Sequence, residues 1–123
     1  DDELHELCND GDTDGLRSFI RNCRTGYDFN QYENWKWRYT PLGIACKKGH
    51  LGIVKLLVAH PDVNLEQGWI GEWGLVRTPL EIACSVGEDE IVKFLVEKKV
   101  AVTAKAFLNY TKSAIKEKKM NKI

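Results

Sequence analysis

Four tryptophans fall in two short stretches of the chain, Trp35 and Trp37 in one and Trp69 and Trp73 in the other. A tryptophan ring is a large apolar body with a single N–H to satisfy, and it is enriched where one protein grips another. Tyr32 and Tyr39 flank the first stretch. In Trp35-Lys36-Trp37-Arg38-Tyr39, aromatic and cationic side chains alternate, so an extended chain would carry rings on one side and charges on the other. Two arrangements suit such residues: a platform presented to a partner, or rings folded under their own loops as a satellite core. The composition fits a mixture, with some rings buried and at least one presented. Trp37 and Trp73 lie in the later half of each stretch and are the rings expected at the surface.

Other residue types give no sign of catalysis. Three histidines are scattered along the chain, and the four cysteines form no C-x-x-C or C-x-x-H spacing of the kind zinc sites use. Gly68-Trp69-Ile70-Gly71-Glu72-Trp73-Gly74 is glycine-rich but lacks the lysine of a phosphate loop; its glycines read as turn-makers. No nucleophile motif is present. The expectation is a non-enzyme with no cofactor and no metal.

What positions the tryptophans is an internal repeat. Thr40-Pro41-Leu42-Gly43-Ile44-Ala45-Cys46 returns as Thr78-Pro79-Leu80-Glu81-Ile82-Ala83-Cys84, thirty-eight residues later. The same interval carries Leu42 and Cys46 back to Leu4 and Cys8, and links Gly11, Gly49 and Gly87. After each glycine comes a second apolar set: Leu16, Phe19 and Ile20; Ile53, Val54, Leu57 and Val58; Ile91, Val92, Leu95 and Val96. Spacings of three and four put each set on one helical face. Each unit therefore reads as helix, tight turn, helix and extended connection. Thr40 and Thr78 are N-caps with proline at the first helical position, and Thr78 with Glu81 makes a capping box.

The stretch T-P-L-x-I-A-C-x-x-G-H-L-x-I-V-K-L-L, from Thr40 through Leu57 and on to Asp62-Val63-Asn64, resembles the ankyrin repeat family. The third unit repeats the pattern through Ala101-Val102, and the first follows it through Leu4-His5, Gly11 and Asp28-Phe29-Asn30. The resemblance implies an all-α solenoid of three helix-turn-helix repeats, about 1–38, 39–76 and 77–102. Residues 103–123 would form an amphipathic capping helix and a basic tail. Family members usually carry a histidine after Thr-Pro-Leu that ties neighbouring units; here Gly43 and Glu81 replace it and only His5 keeps it. A usual repeat is about thirty-three residues long; the extra length lies between Asn64 and Thr78, and to a smaller extent between Asn30 and Thr40, in the finger loops that hold the tryptophans. His50, in the Gly49-His50 turn, is expected to be structural. Such modules recognise partners through fingers and inner helices, which points to Tyr39 and Arg77, to Lys47 and Lys48, and to Ser85 and Val86, together with Trp35, Trp37, Trp69 and Trp73.

Cys8, Cys46 and Cys84 occupy one repeat position and should form a row of small buried hydrophobes; neighbouring helices packed ~8–10 Å apart exceed the ~7 Å Cα limit of a disulfide. Cys23 falls in a longer loop and is expected to be exposed. Free thiols suit the cytoplasm or nucleus. The opening Asp1-Asp2-Glu3 has neither an initiator Met nor a signal-peptide pattern, which suggests a piece of a longer protein.

Net charge is zero, but residues 1–33 carry nine acidic against three basic groups, and residues 97–123 eight lysines against two glutamates. From Thr103 the repeat pattern stops, and Ala104, Phe107, Leu108, Thr111 and Ile115 make an apolar stripe suited to covering the last repeat. Arg38, Lys47, Lys48 and Arg77 would set positive charge beside the tryptophans, which favours an acidic, aromatic-containing peptide. The chain is thus expected to be a protein-interaction scaffold or adaptor. The alternative is an anion-binding module for nucleotide, nucleic acid or inositol phosphate, with the lysine-rich tail as a further contact for nucleic acid or anionic lipid. No apolar run approaches the ~20 residues of a membrane span.

Overall fold

The computed structural model describes residues 3–32, 38–71, 73 and 75–98. Helices α1 (Glu3–Asp10) and α2 (Thr13–Asn22) form the first pair, α3 (Pro41–Lys48) and α4 (Leu51–Ala59) the second, α5 (Pro79–Val86) and α6 (Asp89–Glu97) the third. Between α4 and α5 lie two short strands, β1 (Trp69–Ile70) and β2 (Val76–Arg77). None of these helices exceeds ten residues. Helices that short are marginal alone in water, so they exist because they stack. α1, α3 and α5 pack side by side as one row, and α2, α4 and α6 as a looser second row.

The repeated sequence signals act where they stand. Thr40 Oγ1 accepts the Gly43 N–H and Thr78 Oγ1 accepts the Glu81 N–H, each at 3.1 Å, with Pro41 and Pro79 opening the helices. Gly49 and Gly87 close α3 and α5 in the left-handed region, at φ 78° and 77°, where a side chain is penalised. The core runs through the stack as Leu4, Leu42 and Leu80 from the inner row and Leu16, Ile53, Leu57, Ile91 and Leu95 from the outer row, all buried. Each such leucine contributes about 1.5–3 kcal/mol relative to an exposed one. Val96, expected on the buried face of α6, is instead 47% exposed; it lies at the far edge of the stripe, with no repeat among the described residues to cover it.

Units are tied by polar contacts as well as by packing. His5 Nε2 lies 2.9 Å from the Tyr39 carbonyl, and His50 Nε2 lies 2.9 Å from the Asn9 carbonyl. The imidazole of His50 covers Gly11, where a Cβ would stand 2.7 Å from its Nδ1. One repeat later the carboxylate of Glu88 covers Gly49 in the same way. At the base of the fingers Asn30 Nδ2 donates to the Asp62 carbonyl (2.9 Å), and the Asn64 N–H donates to Asn30 Oδ1 (2.6 Å).

Cys8, Cys46 and Cys84 are buried and free. Burial pushes the Cys8 thiol up to about 12 and the Cys46 thiol higher still, because a thiolate there would lose its hydration. Thiolate is the reactive form, so Cys46 and Cys84 are expected to label slowly with a thiol reagent in the native protein and quickly after denaturation. Rapid labelling of both without denaturant would contradict the helix register. Cys23 differs from its expected exposure: it caps the C-terminus of α2, is half-buried against the core, and its Sγ donates to the Ile20 carbonyl at 3.3 Å.

Candidate finger and inner-helix surface

The extended connection before Thr78 is a hairpin. β1 and β2 run antiparallel, with Trp69 opposite Arg77 and Ile70 opposite Val76. The Gly71 N–H donates to the Leu75 carbonyl at 2.8 Å and closes the turn that carries Trp73. On its other side β1 meets the preceding finger through a bridge between Tyr39 and Trp69. There the Thr40 N–H donates to the Gly68 carbonyl (2.9 Å) and the Ile70 N–H to the Arg38 carbonyl (3.0 Å). Two fingers are thereby joined into one ladder. The all-α architecture gains a small sheet that periodicity had not announced.

Direct opposition across an antiparallel ladder puts side chains on the same face. Tyr39, Trp69 and Arg77 therefore share one face in successive strands. The Arg77 guanidinium carbon lies 5.9 Å from the centre of the Trp69 ring. Lys47, at the end of α3, reaches to 4.7 Å from the Tyr39 ring. Both distances are within the range of cation–π attraction, worth ~0.5–1 kcal/mol where exposed. The Trp69 ring itself is half-buried and lies over Gly71, where any Cβ would collide with it.

The remaining predicted residues are placed as follows. Lys48 is exposed beside Lys47 at the end of α3, and Ser85 and Val86 are exposed at the equivalent end of α5. α3 and α5 are neighbours in the inner row, and of these helix ends Lys47 reaches a finger, through the Tyr39 ring. Trp73 stands at the finger tip, 96% exposed and with φ at 64°. Trp35 and Trp37 lie outside the described residues, as does the capping helix expected over 104–117. Of the alternating segment, Arg38 is exposed and Tyr39 half-buried.

Two residues of this surface escaped sequence reasoning. Leu75 and Val76 are 64% and 43% exposed, next to Trp73. The signal was present in principle: a β-branched residue after a glycine-bounded turn, which marks the second strand of a hairpin. The Gly43 position also has a tertiary explanation. The Gly68 carbonyl lies directly over Gly43, and a Cβ there would stand 2.7 Å from Gly68 Cα and closer still to the carbonyl. Where the resemblance implies a histidine tie, the finger backbone itself fills the space. The tie is made by the Thr40 N–H to the Gly68 carbonyl and by Thr40 Oγ1 to the Gln67 carbonyl at 2.9 Å.

Among the described residues no group of histidine, cysteine and carboxylate side chains could hold a metal ion, and no helix is long and apolar enough to cross a membrane.

No curated protein matches the chain. Among 234 solved chains that resemble it, one comes from the structure of a predatory endopeptidase from Bdellovibrio bacteriovorus in complex with an immunity protein. Identity there is 25% and the TM-score 0.65; the match covers 83% of this chain but only 48% of that one. So widespread a fold does not by itself select a partner. A family model described as ankyrin repeats, in three copies, matches residues 4–106. With that match over most of its length, and with three stacked helix pairs turning on Gly11, Gly49 and Gly87, the chain belongs to the ankyrin repeat family.

Proposed function

We propose that this chain is a non-catalytic protein-interaction module that holds an acidic, aromatic-containing segment of a partner against its fingers and the ends of its inner helices. The observation that carries the reading is the single face on which Tyr39, Trp69 and Arg77 stand side by side, with Lys47 over Tyr39. Aromatic rings flanked by cations attract carboxylates and further rings together. Trp73 adds at the finger tip an exposed ring of the type enriched in hot spots, with Leu75 and Val76 as exposed apolar surface beside it. Membership of the family and the likeness to a chain from a two-protein complex point the same way.

Replacing Lys47 and Arg77 together by glutamate tests this. Both sit at the surface and outside the core, so the fold should tolerate the change within ~0.5 kcal/mol per site. Capture of a partner from lysate should fall at least about tenfold while its identity stays the same, and should persist in moderate salt for the unaltered protein because apolar contacts share the work. Binding that collapses steeply with salt and is competed by polyphosphate would instead identify an anion site and overturn the proposal. Undiminished capture by the charge-reversed protein would overturn it too.

A further inference from the structure

The finger ladder has an outer edge. Ile70 gives its N–H to the Arg38 carbonyl, on the side of β1 away from β2. In an antiparallel pair, a residue whose bonding groups turn away faces a partner that does the same. Val76, opposite Ile70, therefore directs its own N–H and C=O outward, to the side of β2 that no other strand occupies among the described residues. Leu75 and Arg77, on either side, use their carbonyls inward, toward the N–H groups of Gly71 and Gly68 at 2.8 Å each. The repeat interval would carry Trp69-Ile70, the strand that meets the preceding finger, to Phe107-Leu108. There the residues read as an amphipathic stripe and not as another finger. An exposed strand with one outward donor and one outward acceptor is a template for strand addition.

We infer that β2 is the docking edge for the partner, which adds to it as an extended antiparallel segment reading acid, apolar, apolar along its chain. The inference rests on the interaction-module reading above and specifies how that surface is used. A residue opposite Val76 would exchange two hydrogen bonds with it and share its face with Val76 and Ile70, so an aliphatic β-branched side chain fits. The preceding residue would lie opposite Arg77, on the face that also holds Trp69, Tyr39 and Lys47; a carboxylate complements it. The following residue would lie opposite Leu75, next to Trp73, where an aromatic ring covers the most apolar surface. Main-chain bonds supply register, and the alternation of faces supplies specificity.

The probe is an end-blocked peptide, Gly-Glu-Glu-Val-Phe-Gly, added to the full chain. In the free protein the Val76 amide should exchange with solvent rapidly; saturating peptide should slow it at least about tenfold, read by heteronuclear NMR. Val76→Pro removes only the outward N–H, leaving the bonds of Gly68 and Gly71 in place, and should weaken peptide binding about tenfold, in the range expected for a lost hydrogen bond in a dry site. Methylating the peptide's valine nitrogen should do the same. Val76 already protected without peptide would mean that the chain covers its own edge and would overturn the inference. So would absence of binding. Binding weakened by Lys47→Glu and Arg77→Glu but indifferent to Val76→Pro, with Val76 still unprotected, would reject edge docking and leave the charged face as the binding surface.

Discussion

Gly43→Ala is expected to destabilise the protein by about 2–3 kcal/mol, the upper part of the range for overpacking a close-packed site. Alanine is the better helix former, and on propensity alone the change would gain ~1 kcal/mol. That gain is overridden because the new methyl would meet the Gly68 carbonyl and its Cα, both backbone atoms. They cannot rotate aside as a flexible side chain can. Moving them would also break the Thr40 bonds to Gly68 and Gln67 that tie the finger to α3. The other helical glycine of the same unit is the control. At Gly52, near the start of α4, a Cβ would approach only the Thr13 side chain, at 3.2 Å from Oγ1, and Gly52→Ala should be neutral or slightly stabilising. Denaturant midpoints of the two variants, measured in parallel, should move apart. Equal and small effects would mean that the finger does not lie over α3.

Trp73→Ala should lower partner affinity by about 2 kcal/mol or more, the scale of a tryptophan hot spot, with almost no loss of folding stability. The ring is 96% exposed and leaves no cavity when removed. Its backbone sharpens the test. Trp73 is the one non-glycine with positive φ among the described residues, in a conformation that costs an L-residue ~1–2 kcal/mol. Trp73→Gly should therefore bind as poorly as the alanine variant while being as stable as the parent or up to about 1 kcal/mol more so. Strain bears on folding and the exposed ring on binding, and the glycine variant separates the two. If both variants lose several kcal/mol of stability, as burial in a satellite core would require, and lose no affinity at matched folded fraction, the ring belongs to the core of the finger. The inner-helix ends at Lys47, Lys48 and Val86 would then remain as the candidate surface.

The parts whose causes are local could be read from the residues alone. Thr40-Pro41 and Thr78-Pro79 start helices because cap and ring act within four residues, and Gly49 and Gly87 end them because the left-handed turn is a property of one residue. The apolar spacings of Ile53, Val54 and Leu57, and of Ile91, Val92 and Leu95, define buried faces through helical geometry alone. Repetition of these signals at a constant interval then implied a stack, since no single pair can bury its own face. The cysteine row followed from the same register, and Val96 escaped it because burial at the edge of a stripe depends on what lies beyond.

Features that depend on segments far apart in the chain emerged with folding. Thr40 and Gly68 are distant in sequence, so nothing near Gly43 could reveal that a carbonyl from the next finger fills the place of a histidine. The ladder from Tyr39 to Trp69 to Arg77 is likewise a pairing between fingers, and strand pairing is fixed by partners rather than by intrinsic preference. Composition marked the tryptophans as a group, and position within the finger pointed to Trp73 as a surface ring, but neither gave the reason one ring is covered and another is not. Trp69 is half-buried because its neighbours in the ladder and Gly71 give it a surface to lie on, while Trp73, four residues later, sits on a turn and is 96% exposed. Ring exposure is a property of the surroundings, and for these fingers the surroundings are supplied by another repeat.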